Sequence, residues 1–308
     1  MRERIAVVIP AYNRQATIER AIRSVLAQTY PPSEIVVVDD GSTDATAERA
    51  RQTSSRVHVV TTRNQGPAGA RNVGVEASNA EWIAFLDSDD YWSDDHLRAV
   101  VRAMQSSPSD IGLYFSDTVV AGPDGDSSYF AEAGFAPRSP YEVIPDATEV
   151  VLSAKQPTLL QSSVVSRGRF EEVGGLRPDL RIREDTHFFL CAGIGAPVVA
   201  LPSTGCVMTS DVPAAQRVTG ALAPAGLSYL AATASLYSDV LARFGPDLSP
   251  VQRDELQRRE AHAHLRLARI YAKDRAIGRA VSAFRRVLSL DRSLVMETIR
   301  RRREGRRW

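Results

Sequence analysis

The chain has only two cysteines in 308 residues, Cys191 and Cys206, and both sit among apolar neighbours. Small buried hydrophobes account for them better than a disulfide or a reactive thiol does, and no cysteine spacing suggests zinc. No apolar run approaches the length needed to cross a bilayer. The N-terminus MRERIAVVIP offers six residues from Ile5 to Pro10 before the chain turns polar, too few for a secretory signal. The expected compartment is the cytoplasm, with a peripheral position at the inner membrane face as the one variation. Net charge is +1, so the chain as a whole lacks the basic excess of a nucleic-acid binder. No glycine fingerprint for a dinucleotide follows the first apolar run, where PAYNR stands, and there is no Walker A segment. Ligands gripped by a glycine-rich phosphate loop are therefore disfavoured.

What is present is an ordinary soluble composition, 44 % apolar and 24 % charged, in a chain long enough for one large domain and an appendage. Apolar runs at Ile5–Ile9, Ile35–Val38, Val57–Val60 and Trp82–Leu86 alternate with helical patterns. Pro10 is expected to stop the first strand, and Ser42 or Thr43 to cap the helix that carries Ala45–Arg51. The pattern predicts an α/β fold with a mostly parallel sheet flanked by helices over 1–107. Residues 108–213 are more irregular and are expected to shape a second substrate site. Within them, Ile111–Phe115 and Val198–Leu201 are candidate strands. Together these two halves make a domain of 1–213. Residues 214–308 form a helical region, with segments at Leu227–Phe244, Gln252–Tyr271 and Ile277–Leu290. It ends in a tail, 300–308, that packs six arginines beside Trp308. Such a tail suits anionic lipid headgroups or a merely solvated end.

The stretch Glu81–Trp92, EWIAFLDSDDYW, organises the first half. A strand apolar on both faces ends in Asp87, Ser88, Asp89 and Asp90. Three carboxylates in four residues repel one another. A divalent cation would offset that, since hard cations take oxygen ligands; a solvated turn ahead of the next helix, on whose surface His96 is placed, is the bland alternative. Three polar loops, 10–14, 39–44 and 87–90, should gather at the carboxyl edge of the sheet, where open α/β sheets hold ligands. Acidic groups there can accept hydrogen bonds from a base and a ribose. A metal on Asp89 and the charge of Arg71 could meet a diphosphate.

VVIPAYNR (7–14), EIVVVDDGSTDAT (34–46), NQGPAGARNVG (64–74) and FLDSDD (85–90) resemble, in order and spacing, the motifs of the inverting nucleotide-sugar glycosyltransferases of family 2, which have the GT-A fold. The resemblance covers about 4–210 and leaves the helical end unexplained. It implies a nucleoside-diphosphate sugar donor, UDP types being common, and Mn²⁺ or Mg²⁺ held by Asp89. Pro10, Ala11, Tyr12 and Arg14 would line the nucleotide, Asp39 would contact the base, and Gly41 would shape the turn. Arg71 would lie near the diphosphate, and Asp87 and Ser88 on the ribose and sugar side. Arg183-Glu184-Asp185-Thr186 resembles the family's ED motif, which implies Asp185 as general base with Glu184 supporting it. Without the resemblance these are ordinary acids of a first helical turn. Gly174, Gly175 and His187 fall on the acceptor side by the same likeness. The Gln-x-x-Arg-Trp segment of processive synthases is absent, which points to transfer of one sugar.

The acceptor could be a saccharide, a lipid-linked saccharide, a protein or a small molecule, and the helical region could bind it or pair two subunits. Two rivals remain at this level. One is a sugar nucleotidyltransferase, although PAYNR supplies no basic phosphate loop. The other is a non-catalytic nucleotide-sugar sensor or scaffold acting through its helical region.

Overall fold

A computed structural model describes residues 3–122, 125–209, 226–294, 296 and 300. The chain divides into two compact units, Met1–Pro213 and Ala214–Trp308.

In the first unit, β1 (Ile5–Ala11) lies between β2 (Glu34–Asp39) and β4 (Trp82–Phe85), with β3 (Val57–Thr61) beyond β2, all parallel. The crossovers are α1 (Ile18–Leu26), α2 (Thr46–Thr53) and α3 (Gly66–Glu76). Helix α1 buries Ile18, Ala21, Ile22 and Val25, the single face that its apolar spacing foretold. Helix α3 is built of small residues because it lies almost on the sheet. A Cβ at Gly74 would stand 2.3 Å from Val8 Cγ1 and 3.1 Å from Val38 Cγ2. Gly74→Ala is therefore expected to destabilise the unit by about 1–3 kcal/mol through overpacking, read as a lower midpoint in urea unfolding.

Pro10 does not end β1. At Pro10 the strand pairs only with β2, because its ladder with β4 spans Ile5–Val8, so the missing N–H falls where β4 no longer runs alongside.

The second half continues the same sheet. After β5 (Tyr91–Trp92) and α4 (His96–Ser106) comes β6 (Leu113–Val120), one strand of eight residues. It runs on past the Phe115 limit suggested by the apolar run. Then follow β7 (Ser127–Ser128), α5 (Tyr129–Glu132), β8 (Glu142–Ile144), α6 (Thr148–Leu152), a 3₁₀ turn (Leu160–Ser162), β9 (Ser163–Ser166), α7 (Arg167–Glu172), α8 (Glu184–Gly193) and β10 (Val198–Met208). The order across the sheet is β3-β2-β1-β4-β9-β6-β10-β5, with β7 beside β6 and β8 beside β10. β9 runs antiparallel between β4 and β6, so it separates the parallel block β3-β2-β1-β4 from the parallel pair β6-β10. β10 extends well past Leu201, with register shifts against β6 around Thr204. That irregular stretch hides its second half from a simple apolar pattern.

His96 is not on a surface. It is 2 % exposed, its ring lies 4.8 Å from that of Trp92, and burial pushes its pKa down to about 3. Both cysteines are buried and neither forms a disulfide.

The second unit holds α9 (Leu227–Phe244), α10 (Pro250–Lys273) and α11 (Ile277–Leu290). Ser249 and Gln252 form a reciprocal capping box at the start of α10, with Pro250 in its first turn. Leu230, Ala234, Ala263, Leu267, Ala268 and Ala283 form its core. Glu260 is fully buried and takes the Arg286 guanidinium at 2.8 Å. Among the described residues no helix is long and apolar enough to cross a membrane. The arginines of 301–307 and Trp308 lie outside the described residues.

Candidate active site

Because β1, β2 and β4 are parallel, their carboxyl ends share one edge. β1 sits where the strand order reverses, which opens a crevice there. Two of the three loops on that edge are stitched together. The Asn13 amide donates to Ser42 Oγ (2.9 Å), and the Thr43 amide to Asn13 Oδ1 (2.9 Å). The Arg14 amide donates to Thr46 Oγ1 (2.8 Å), the Gln15 amide to Asp44 Oδ2 (3.2 Å), and the Ala45 amide to Gln15 Oε1 (3.1 Å). Asn13 accepts a left-handed backbone, φ 52°, to reach across. Ser42 and Thr43 therefore serve the loop rather than capping α2. That start is held by Asp44, which accepts the Thr46 amide at 2.9 Å.

Asp39 and Asp40 are both buried, with different duties. Asp40 accepts the Gln65 amide (2.8 Å) and the Gly66 amide (2.9 Å), tying the β2 end to the start of α3, which makes it structural. Among the described residues the Asp39 carboxylate accepts only the Ser42 amide, at 3.2 Å, so it keeps capacity for a ligand. Gly41 stands at φ 79° with the Asn64 amide 3.1 Å from where a Cβ would be, so the turn requires glycine. Tyr12 is 45 % exposed at the rim, Ala11 is buried beneath it, and Pro10 is partly buried.

At the end of β4 the acidic residues separate by role. Asp90 is buried: its amide donates to the Asp87 carbonyl (3.1 Å), and its Oδ1 accepts the Thr209 amide (3.1 Å). Ser88 is buried in the same turn. The side chains of Asp87 and Asp89 stay open, 30 % and 21 % exposed. Arg14 Nε lies 3.5 Å from Asp89 Oδ2. Two accessible carboxylates on a braced turn offer the hard oxygen donors that a divalent cation takes, so the residues fit such an ion.

The connection that sequence could not show is made by Arg71. From the buried face of α3 it donates to Asp87 Oδ1 (2.6 Å) and to Glu184 Oε1 (3.0 Å). Burial works against its charge, but the two carboxylates outweigh this and hold the guanidinium firmly protonated. The two terminal nitrogens of Arg71 thus each meet a carboxylate. Glu184 and Asp185 open α8 after Arg183, whose left-handed φ of 62° turns the chain into the helix. Burial, and then the Asp185 charge, raise the Glu184 carboxyl to about 7, with Arg71 opposing. Asp185 is partly exposed, and its Oδ1 is taken by the Thr186 amide at 2.6 Å. Glu184 is buried, with Oε1 accepting from Arg71 at 3.0 Å. His187 is buried, 1 % exposed, with Nε2 3.6 Å from Cys191 Sγ. Gly174 and Gly175 both have positive φ, and the loop is held where Asn72 pairs with the Leu176 backbone at 2.7 and 3.1 Å.

Some contributors carried no signal in the sequence. Arg20 donates to the Asp89 carbonyl (2.6 Å) and to Thr209 (2.9 Å), bracing the acidic turn. Asp117 accepts the Phe130 amide (2.9 Å) and the Ser128 hydroxyl (2.6 Å), fixing α5. Tyr129 on α5 has its hydroxyl pKa raised by burial and then by the Asp185 charge, which marks it as a neighbour of that carboxylate. The N-capping serine before α5, Ser128, was the one available clue.

A parallel half-sheet ending in an acidic crevice, merged with a mixed half that supplies a second acidic site, defines a GT-A type α/β protein. Residues 6–129 match the family model "Glycosyl transferase family 2". Succinoglycan biosynthesis protein ExoW of Rhizobium meliloti is 30 % identical over 224 residues, covering 66 % of this chain and 68 % of that protein. Succinoglycan biosynthesis protein ExoO of the same organism is 38 % identical over 211 residues, 66 % of this chain, and the match spans 60 % of ExoO's length. The chain belongs to glycosyl transferase family 2. Its fold is shared by S. aureus TarS 1–349 in complex with UDP-GlcNAc, at TM-score 0.62 and 17 % identity over 99 % of this chain and 93 % of that one. It is shared too by the mannosyltransferase PcManGT from Pyrobaculum calidifontis in complex with GDP-Man and Mn²⁺, at TM-score 0.57 and 21 % identity, covering 92 % of this chain and 74 % of that one.

Proposed function

We propose that this chain moves one sugar from a nucleoside-diphosphate sugar, with UDP favoured, to an acceptor hydroxyl by direct displacement with inversion. The observation that carries the reading is the Arg71 bridge, which ties the accessible acids at the end of β4 to the first turn of α8. The donor's nucleoside lies against Pro10, Ala11 and Tyr12, with Asp39 on the base and Arg14 toward the phosphates. Asp87 and Ser88 face the ribose and sugar. Asp89, helped by Asp87, holds Mn²⁺ or Mg²⁺, which when bound neutralises charge on the leaving diphosphate.

Asp185 takes the proton of the acceptor hydroxyl as its oxygen bonds to the anomeric carbon, and the bond to the diphosphate breaks with its electron pair on the phosphate oxygen. Oδ1 is occupied by the Thr186 amide, so Oδ2 is the basic oxygen. Glu184 is a positioning residue through Arg71. The loop at Gly174 and Gly175 borders the acceptor. UDP is favoured because UDP donors are common in the family the motifs resemble; the fold neighbours leave the base open, since TarS holds UDP-GlcNAc and PcManGT GDP-Man. The succinoglycan biosynthesis in the names of ExoO and ExoW supports a saccharide as the acceptor.

Calorimetric titration of UDP, GDP, CDP and dTDP with Mn²⁺, repeated on Asp89→Ala, tests the donor site. One nucleotide is expected to bind in a metal-dependent way, with affinity falling about tenfold or more in the variant. Binding by none of the four, or binding indifferent to both metal and Asp89, overturns the assignment. Metal-dependent binding with no transfer or donor hydrolysis would favour the sensor.

A further inference from the structure

Helix α11 is amphipathic twice over. Its inner face, Ala283 and Val287, packs within the helical unit. A second apolar stripe faces outward: Ile277, Val281, Phe284 and Leu288 are 61, 45, 38 and 37 % exposed. Their spacing of four, three and four residues keeps them on one side of a helix about 21 Å long. A packed helix needs only one such stripe, so the outer one lacks a partner that the fold itself would require.

The charge around the stripe says what fits it. Between Ile277 and Leu290 every charged residue is an arginine: Arg279, Arg285 and Arg286. Arg286 is engaged by Glu260, and Arg279 lies 5.9 Å from the Tyr271 ring centroid. Arg285, exposed at the border of the stripe, has no ion pair among the described residues. The whole of 214–308 carries 19 Lys+Arg against 9 Asp+Glu, net +10, whereas 1–213 carries 19 against 28, net −9. A second copy laid on this face would set arginine against arginine. Two helices of this length would also bury well under the roughly 1,200 Å² of a stable interface. An anionic bilayer surface answers both features, since apolar side chains enter the headgroup boundary while arginines meet lipid phosphates.

We propose that the outer face of α11 docks this protein on anionic phospholipid surfaces, with Ile277, Val281, Phe284 and Leu288 as the inserted edge and Arg285 with the basic unit around it as the electrostatic attraction. Of the net +10, the tail at 300–308 carries +5 (six arginines against Glu304) without an apolar stripe, and 214–299, which includes the face, carries the other +5.

The test is co-sedimentation of the full chain with vesicles of equimolar phosphatidylglycerol and phosphatidylcholine, against phosphatidylcholine alone, at low and high salt. Wild type is expected to bind the anionic vesicles about tenfold or more tightly over the neutral ones, with binding weakened by salt. Ile277→Ser with Phe284→Ser should reduce anionic binding about tenfold, and Arg285→Glu should reduce it comparably, with far-UV circular dichroism unchanged because these side chains are exposed. The proposal is overturned if wild type does not bind. It also fails if the serine pair binds as wild type does and only loss of 301–308 abolishes binding, or if light scattering finds a dimer that the serine pair splits, with no vesicle binding.

Discussion

Asp185→Asn is expected to lower the turnover number by about 10²–10⁴-fold, the range ascribed to a general base, while nucleotide affinity stays near that of wild type. The substitution keeps the size of the side chain and an oxygen for the Thr186 amide, so the start of α8 should survive. Only the proton acceptor is lost. The check is a steady-state assay with saturating donor, paired with titration of the nucleotide. Equal loss in both would mean that the carboxylate serves the donor. No loss in turnover would remove Asp185 from the chemistry and shift attention to Tyr129, whose hydroxyl feels the same charge.

Arg71→Ala has the next largest consequence, and it concerns stability first. The guanidinium is buried and held by two carboxylates, so its removal strands Asp87 and Glu184 near one another without a counter-charge. Breaking a buried ion pair from one side costs about 3–5 kcal/mol. The sign of the pH effect follows from Glu184. Its folded pKa of about 7 lies above the ordinary 4.5, so the native state binds the proton more tightly than the unfolded chain. Stability from this group is therefore greatest below about 4.5 and is lost as pH rises through about 7, by up to the order of 3 kcal/mol. Urea unfolding from pH 5 to 8 should show that decline in wild type, a steeper one in Arg71→Ala, and a flatter one in Glu184→Gln. A flat wild-type profile, or an unchanged Arg71→Ala, would deny the bridge its energetic role.

The strands that carry the site were legible because each is apolar on both faces and ends sharply in polar residues. Ile35–Val38 before Asp39 and Trp82–Leu86 before Asp87 needed no partner to be recognised. Four motifs in order then identified the family. Legibility stopped where a side chain's meaning depends on distant segments. Arg71, Asp87 and Glu184 come from three elements, so sequence suggested a free cation where the structure holds a shared one. His96 carries a charge-capable ring in an otherwise amphipathic helix, and only the Trp92 contact and the β10 backbone at Gly205 explain why it is buried. Pro10 misled because strand-breaking is a rule about hydrogen bonding to both neighbours, and here one neighbour has already ended.

The five hydrogen bonds that backbone amides donate between the 13–15 segment and the 42–46 segment have a consequence for how a donor is met. Fixing one residue's backbone costs about 1–2 kcal/mol of entropy, and along this rim that loss occurs when the chain folds, before any ligand arrives. A nucleotide reaching the crevice meets a template already cast. Association on this side becomes a collision of two rigid shapes, and whatever adjustment the catalytic cycle demands must come from elsewhere in the molecule.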